Sequence, residues 1–205
     1  MAIYPLGTLH IENTDYDRAV IDASLRHLDM LGTGLWVGFS FTWMACMAAR
    51  CGRSERALTM LQLFLKAFVS RNGFNLNGDY KSLGLSSFNY RPFTLEANFA
   101  ASQAVNEMLL QSWNGIVRIF PAMPEGWPDA SFENLRAEGA YLVSANRKAG
   151  NTIWIRIVVE HEGVLRLRNP FKTDNVKWNT EAVQRSGDEY VFIMKKQQVL
   201  EGQIL

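Results

Sequence analysis

The run Thr94–Phe120, TLEANFAASQAVNEMLLQSWNGIVRIF, changes its period in the middle. Its first part, Thr94 to Ser112, reads as a helix. After Trp113 the pattern alters, and Gly115-Ile-Val-Arg-Ile-Phe-Pro reads as a strand ending in proline. The chain is therefore expected to be helical before this point and β-rich after it. That makes it an α+β, multidomain polypeptide, with a helical segment over 1–113 and a carboxy-terminal β domain over 114–205.

Working back towards the amino terminus, three more helices are expected. Asp15 to Leu31 carries Tyr16, Ala19, Val20, Ala23, Leu25, Leu28 and Leu31 at helical spacing, with Thr14 or Asn13 as cap and Gly32 as stop. Trp36 to Cys51 is apolar nearly all round, the mark of a helix buried on most sides. Ser54 to Val69 opens with a capping-type Ser-Glu and sets Ala57, Leu58, Leu61, Leu65 and Phe68 on one face. The short link between these two predicts an αα-hairpin. From Ser70 to Phe93 runs a long loop rich in Asn, Gly, Ser and aromatics, and loops of this length are often functional.

Towards the carboxy terminus, the runs 139–145, 152–160, 163–168 and 190–194 are short, apolar and bounded by Gly, Asn or Pro. Such spacing predicts an antiparallel sheet or β-sandwich-like domain.

Composition narrows the function classes. Of the 205 residues 48% are apolar and 20% charged, and the formal net charge is +1, which gives no electrostatic case for nucleic acid or an anionic membrane. Cys46 and Cys51 lie five apart in a predicted helix, a rise of roughly 7.5 Å with different facings, so no disulfide is expected between them. His10, His27 and His161 are scattered, and no metal site or cofactor is expected. The amino terminus has neither the basic nor the apolar region of a signal peptide. The most apolar stretch, Leu35–Ala49, falls short of the roughly 20 residues that span a bilayer, so the chain reads as soluble.

The run Arg91–Val143 resembles glycoside hydrolase family 95, whose members act on α-L-fucosides and α-L-galactosides. The matching residues are Asn98, Phe99, Glu107 to Ser112, Pro121, Ala122, Pro124, Trp127, Pro128 and Leu135 to Ala137. Ile3-Tyr4-Pro5 and Ser40 to Ala57 add weaker pieces in the family's order. The resemblance implies the terminal helices of an (α/α)6 toroid followed by the family's β domain. It also implies inversion, in which a carboxylic acid protonates the leaving oxygen while an activated water attacks the opposite face. No segment matches the family's upstream catalytic regions, so the chain is expected to be incomplete as a catalyst alone. Carbohydrate is the implied partner, together with either the missing amino-terminal part of the same enzyme or a second copy covering exposed helix faces.

Glu96 is the catalytic candidate: it stands where the family's Asp-Gly-Asn-Phe-Gly motif has an acid that contributes to water activation. Here the motif reads Glu-Ala-Asn-Phe-Ala. With Thr94 as cap, Glu96 falls in the first helical turn, a position where acidic residues are also common for purely structural reasons. Glu107 is excluded as its partner, because eleven helical residues rise about 16 Å against the roughly 6.5–9.5 Å of an inverting pair; it reads as a structural anchor. Sugar rings pack their C–H faces on aromatics, which makes Trp36, Trp43, Phe93 and Tyr90 candidate platforms and Arg91 and Asn98 candidate readers of hydroxyls. Trp43 reads rather as a helix-packing core residue, Trp154 as strand core, and Asn98 equally as a holder of the turn's backbone. The competing functions are a noncatalytic carbohydrate-binding or scaffold module, and a helical interaction protein.

Overall fold

The computed structural model describes residues 1–205. Four helices precede ten strands, in two compact units, Met1–Met108 and Leu109–Leu205.

In the first unit, α1 spans Asp15–Leu31 and is capped by Thr14, whose hydroxyl accepts from the Asp17 N–H at 3.1 Å. It stops where the Gly32 N–H reaches back to the carbonyls of Leu28 and Asp29. Ile21 and Leu25, one helical turn apart, are fully buried. α2 spans Gly38–Arg50 and starts later than expected because Val37 is extended; it is buried nearly all round, from Phe41 through Ala49. α3 spans Ser54–Ala67. Its N-cap is Arg53, without a side-chain bond, so Ser54 lies inside the first turn instead of capping it. α2 and α3 pack against each other across the turn at 51–53.

α4 spans Glu96–Leu109, shorter at both ends than expected. At its start the Thr94 hydroxyl is taken by the Asn75 amide at 2.6 Å, so Thr94 is not the cap, and the first helical bond runs from the Phe99 N–H to the Leu95 carbonyl. At its end Leu110 and Gln111 are drawn into strand pairing. The unit has two apolar clusters, one around Ile21, Leu25, Met44 and Met47, the other around Phe41, Phe64, Phe68 and Ala97. No helix is long and apolar enough to cross a membrane.

The second unit contains β1 (Leu110–Gln111), β2 (Ile116–Ile119), β3 (Ala130–Ala137), β4 (Tyr141–Lys148), β5 (Asn151–Val159), β6 (Gly163–Arg168), β7 (Val176–Trp178), β8 (Gln184–Ser186), β9 (Glu189–Met194) and β10 (Val199–Ile204). They form two five-stranded sheets, ordered β1-β2-β6-β9-β8 and β3-β4-β5-β10-β7. Pairing is antiparallel except between β2 and β6, which run parallel. The expectation of a wholly antiparallel domain is corrected there. Between β2 and β6 the chain visits the other sheet to make β3, β4 and β5, and only such a long crossover can return a strand in parallel. Both sheets feed one core, with Val117, Leu165, Leu167 and Phe192 from the first and Val143, Ile155, Ile157 and Leu200 from the second. Arg118, buried on β2, lays its guanidinium 3.8 Å from the Trp113 ring centre and donates to the Trp113 and Ile116 carbonyls at 3.0 and 2.8 Å.

Candidate functional site

The long loop is held by its own polar side chains. Asn75 is fully buried: its amide donates to Thr94 Oγ1 at 2.6 Å, its side-chain oxygen accepts from the Asn77 N–H at 3.2 Å, and its own N–H donates to Asn98 Oδ1 at 2.9 Å. Gly38 at the start of α2 lies directly on this residue, and a Cβ there would sit 2.2 Å from Asn75 Oδ1. Only glycine lets the helix end approach so closely. The Gly38 N–H also donates to the Asn77 carbonyl at 3.0 Å. Further along, the buried Asp79 carboxylate accepts from the N–H groups of Leu83 and Leu85 at 3.1 and 3.0 Å, folding the loop back on itself. The Asp79 N–H then donates to the Phe88 carbonyl at 2.7 Å. The segments 73–80 and 88–98 are thus laced together side by side.

This lacing presents Glu96. It is the first residue of α4, it is exposed, and its carboxylate has no partner within the chain. Two residues on, Asn98 is spent on structure: Oδ1 takes the Asn75 N–H and Nδ2 donates to the Gly73 carbonyl at 2.8 Å. Arg91 is exposed, with its guanidinium 5.7 Å from the Tyr80 ring centre. Phe93 is 53% exposed and meets Phe74 edge-on at 4.8 Å between ring centres. Tyr90 is 44% exposed, and its hydroxyl accepts from the Asn77 amide at 3.4 Å. Glu96, Arg91, Phe93 and Tyr90 therefore belong to one loop-and-helix-start assembly with accessible side chains. Trp36 and Trp43 differ. Trp36 is half-buried against Phe41, 5.1 Å away, and packs on both helical clusters, while Trp43 packs on the Ile21–Met47 cluster. No cluster of three or more His, Cys, Asp or Glu side chains is arranged to hold a metal ion.

Glu107, at the far end of α4, is buried and bound through both oxygens. Oε1 accepts from Arg50 Nη2 at 2.8 Å and from the Gln103 amide at 3.0 Å, and Oε2 accepts from Arg50 Nε. The Arg50 guanidinium also lies 5.5 Å from the Tyr4 ring centre. Burial pushes the neighbouring Cys46 thiol up to about 12 and raises the Tyr4 hydroxyl above its ordinary range. Sequence reasoning missed Asn75 and Asp79. A loop full of Asn and Gly announces turns without saying which amide or carboxylate will be buried to make them.

Residues 1–109 match the model of the glycosyl hydrolase family 95 catalytic domain, and residues 111–201 match that of the family's C-terminal domain. The helical unit and the two-sheet unit thus follow each other in the order of the two domains that define this family. The chain belongs to glycoside hydrolase family 95. It is similar to the Arabidopsis thaliana protein named Alpha-L-fucosidase 2, at 30% identity over 152 residues, covering 74% of this chain and 17% of that relative. The chain thus spans under a fifth of that relative's length. Among solved structures, a family 39 glycoside hydrolase from Bacteroides cellulosilyticus WH2 overlaps 58% of this chain and 21% of its own, at 12% identity and a TM-score of 0.30. A GH127 beta-arabinofuranosidase overlaps 81% and 31%, at 12% identity and a TM-score of 0.31. At those scores the likeness fixes neither fold nor function.

Proposed function

We propose that this chain supplies one wall of the sugar cleft in an inverting hydrolase of α-L-fucosides or α-L-galactosides, with residues 1–113 as the terminal helices of an (α/α)6 toroid and 114–205 as a β-sandwich-like domain. The observation that carries the reading is Glu96, an exposed, unpartnered carboxylate at a helix start whose surroundings are fixed by buried hydrogen bonds. In this reading the carboxylate accepts a hydrogen bond from the attacking water and draws off its proton as the water's oxygen bonds to the anomeric carbon. A carboxylic acid from outside this chain protonates the departing oxygen. Arg91 reads a hydroxyl and Phe93 with Tyr90 offers the apolar ring face a platform. Asn98 acts indirectly by holding the loop, and Trp36 and Trp43 support the wall from behind.

The chain by itself lacks the general acid on this reading, and the exposed Met30, Leu31, Leu35 and Phe99 suit a surface covered by the rest of the enzyme or by a second copy. The test is release from aryl α-L-fucoside and α-L-galactoside by this chain, alone and supplemented with the upstream part of a family 95 enzyme. No release alone is expected. Release on supplementation should fall about 10²–10⁴-fold with Glu96→Gln, the usual worth of a general base. Release that Glu96→Gln leaves unchanged would remove Glu96 from the chemistry, and release by the chain alone would refute its incompleteness.

A further inference from the structure

We propose that the outer face of the β3-β4-β5-β10-β7 sheet carries a second sugar-binding site, centred on Trp154, that takes a neutral pyranose ring. The side-chain period of β5 sends Ile155 and Ile157 into the core, where both are fully buried, and turns Trp154 and Arg156 outward. Register then sets a row across four strands. Trp154 lies opposite Asn146 on β4 and Gln203 on β10, and Gln203 lies opposite Lys177 on β7. Adjacent strands are about 4.8 Å apart, so the row is about 14 Å long, enough for a monosaccharide and its neighbours.

The indole is not part of the apolar core, which takes Trp178 from this sheet instead. It lines a recess of about 210 Å³ together with Lys177, Asn179, Glu201, Gly202 and Gln203. Gly202 is needed for this shape. A Cβ there would come within 2.6 Å of the Trp178 ring, so its absence lets Trp178 pack beneath β10 and keeps Lys177 alongside Gln203 on the outer side.

The polar rim divides into fixed and uncommitted groups. Asn179 is fixed, donating to the Val199 carbonyl at 3.0 Å and accepting from the Glu201 N–H at 2.8 Å, and Glu201 faces Arg156 at 3.5 Å. The Trp154 N–H, the Asn146 and Gln203 amides and the Lys177 ammonium make no hydrogen bond within the chain. A flat indole between two free amides matches a pyranose, whose C–H face stacks while its hydroxyls both give and accept. The core of a protein interface is depleted of charged residues, whereas here a single ring is surrounded by amides and by Lys177, Glu201 and Arg156.

The full chain, labelled with fluorotryptophan, resolves this by fluorine NMR. Trp154→Phe assigns the resonance among the six tryptophans. Titration with methyl α-L-fucopyranoside or methyl β-D-galactopyranoside should shift that resonance saturably, and Gln203→Ala, on an exposed side chain, should weaken the affinity about fivefold. Glu96→Gln should leave the titration unchanged. An unmoved Trp154 resonance, an equal shift with glycerol, identical binding by Gln203→Ala, or loss of the shift in Glu96→Gln would each overturn the site. The last outcome would place the sugar at Glu96 and leave the hydrolase reading intact.

Discussion

Asn98 ties its side-chain amide to the chain at both ends, accepting from the Asn75 N–H and donating to the Gly73 carbonyl. The Asn75 N–H belongs to a fully buried residue, so removing the acceptor leaves an unsatisfied donor with no route to water. Asn98→Ala should therefore cost about 1–3 kcal/mol in urea unfolding, with Asn98→Asp costing less because the acceptor survives. Equal stability of Asn98→Ala and the parent would show that the loop is held elsewhere. The sequence offered Asn98 both as a reader of sugar hydroxyls and as a holder of the turn's backbone; its two hydrogen bonds tie it to the segment that presents Glu96. One-dimensional spacing places an amide near a carboxylate. It does not say whether backbone groups, arriving from 23 to 25 residues away, will occupy it first.

At the scale of elements, α2 and α4 are joined by the Arg50–Glu107 pair. Their side chains are only 13% and 4% exposed, and both guanidinium contacts are hydrogen bonds to carboxylate oxygens. Breaking such a pair strands a charge in low dielectric. Glu107→Ala should cost about 3–5 kcal/mol, whereas the double change Arg50→Met with Glu107→Leu, which removes both charges and refills the space, should recover most of that. Chemical denaturation of the two variants checks this, and a double variant as unstable as the single would deny the pair its role. Helix α1 was legible to the residue, because Thr14 and Gly32 mark its ends chemically. The strands β7 and β8 were not. Each has three residues and no alternation of its own, and each exists only because a longer neighbour, β10 or β9, offers its edge. β3 was hidden by a shift in its pairing between Phe132 and Leu135, which breaks the period-two pattern.

For the molecule as a whole, buried thiols link stability to pH. Cys46 is pushed up to about 12 and Cys51 to about 11, in both cases chiefly by burial, from an ordinary 9.0. The folded state favours the neutral thiol, so the unfolded chain gives up these protons first as pH rises. Stability from this source is complete below about pH 9 and is lost as pH climbs towards the folded values. The thermal midpoint of the parent should fall more steeply between about pH 9 and about pH 11 than that of the Cys46→Ala, Cys51→Ala variant. Parallel slopes would mean the thiols play no part.

The sequence by itself determined the order of helices before strands, the family, and the carboxylate at position 96. These are properties of local period, capping and a contiguous motif, which the chain carries wherever it folds. Tertiary structure decided the rest. Burial of Asn75 and Asp79, the parallel seam of β2 with β6, the tying of Asn98 to Asn75 and Gly73, and the outward row through Trp154 depend on which distant segments meet. That meeting is settled by backbone hydrogen bonds and core packing between residues far apart in the chain, and no local pattern records it.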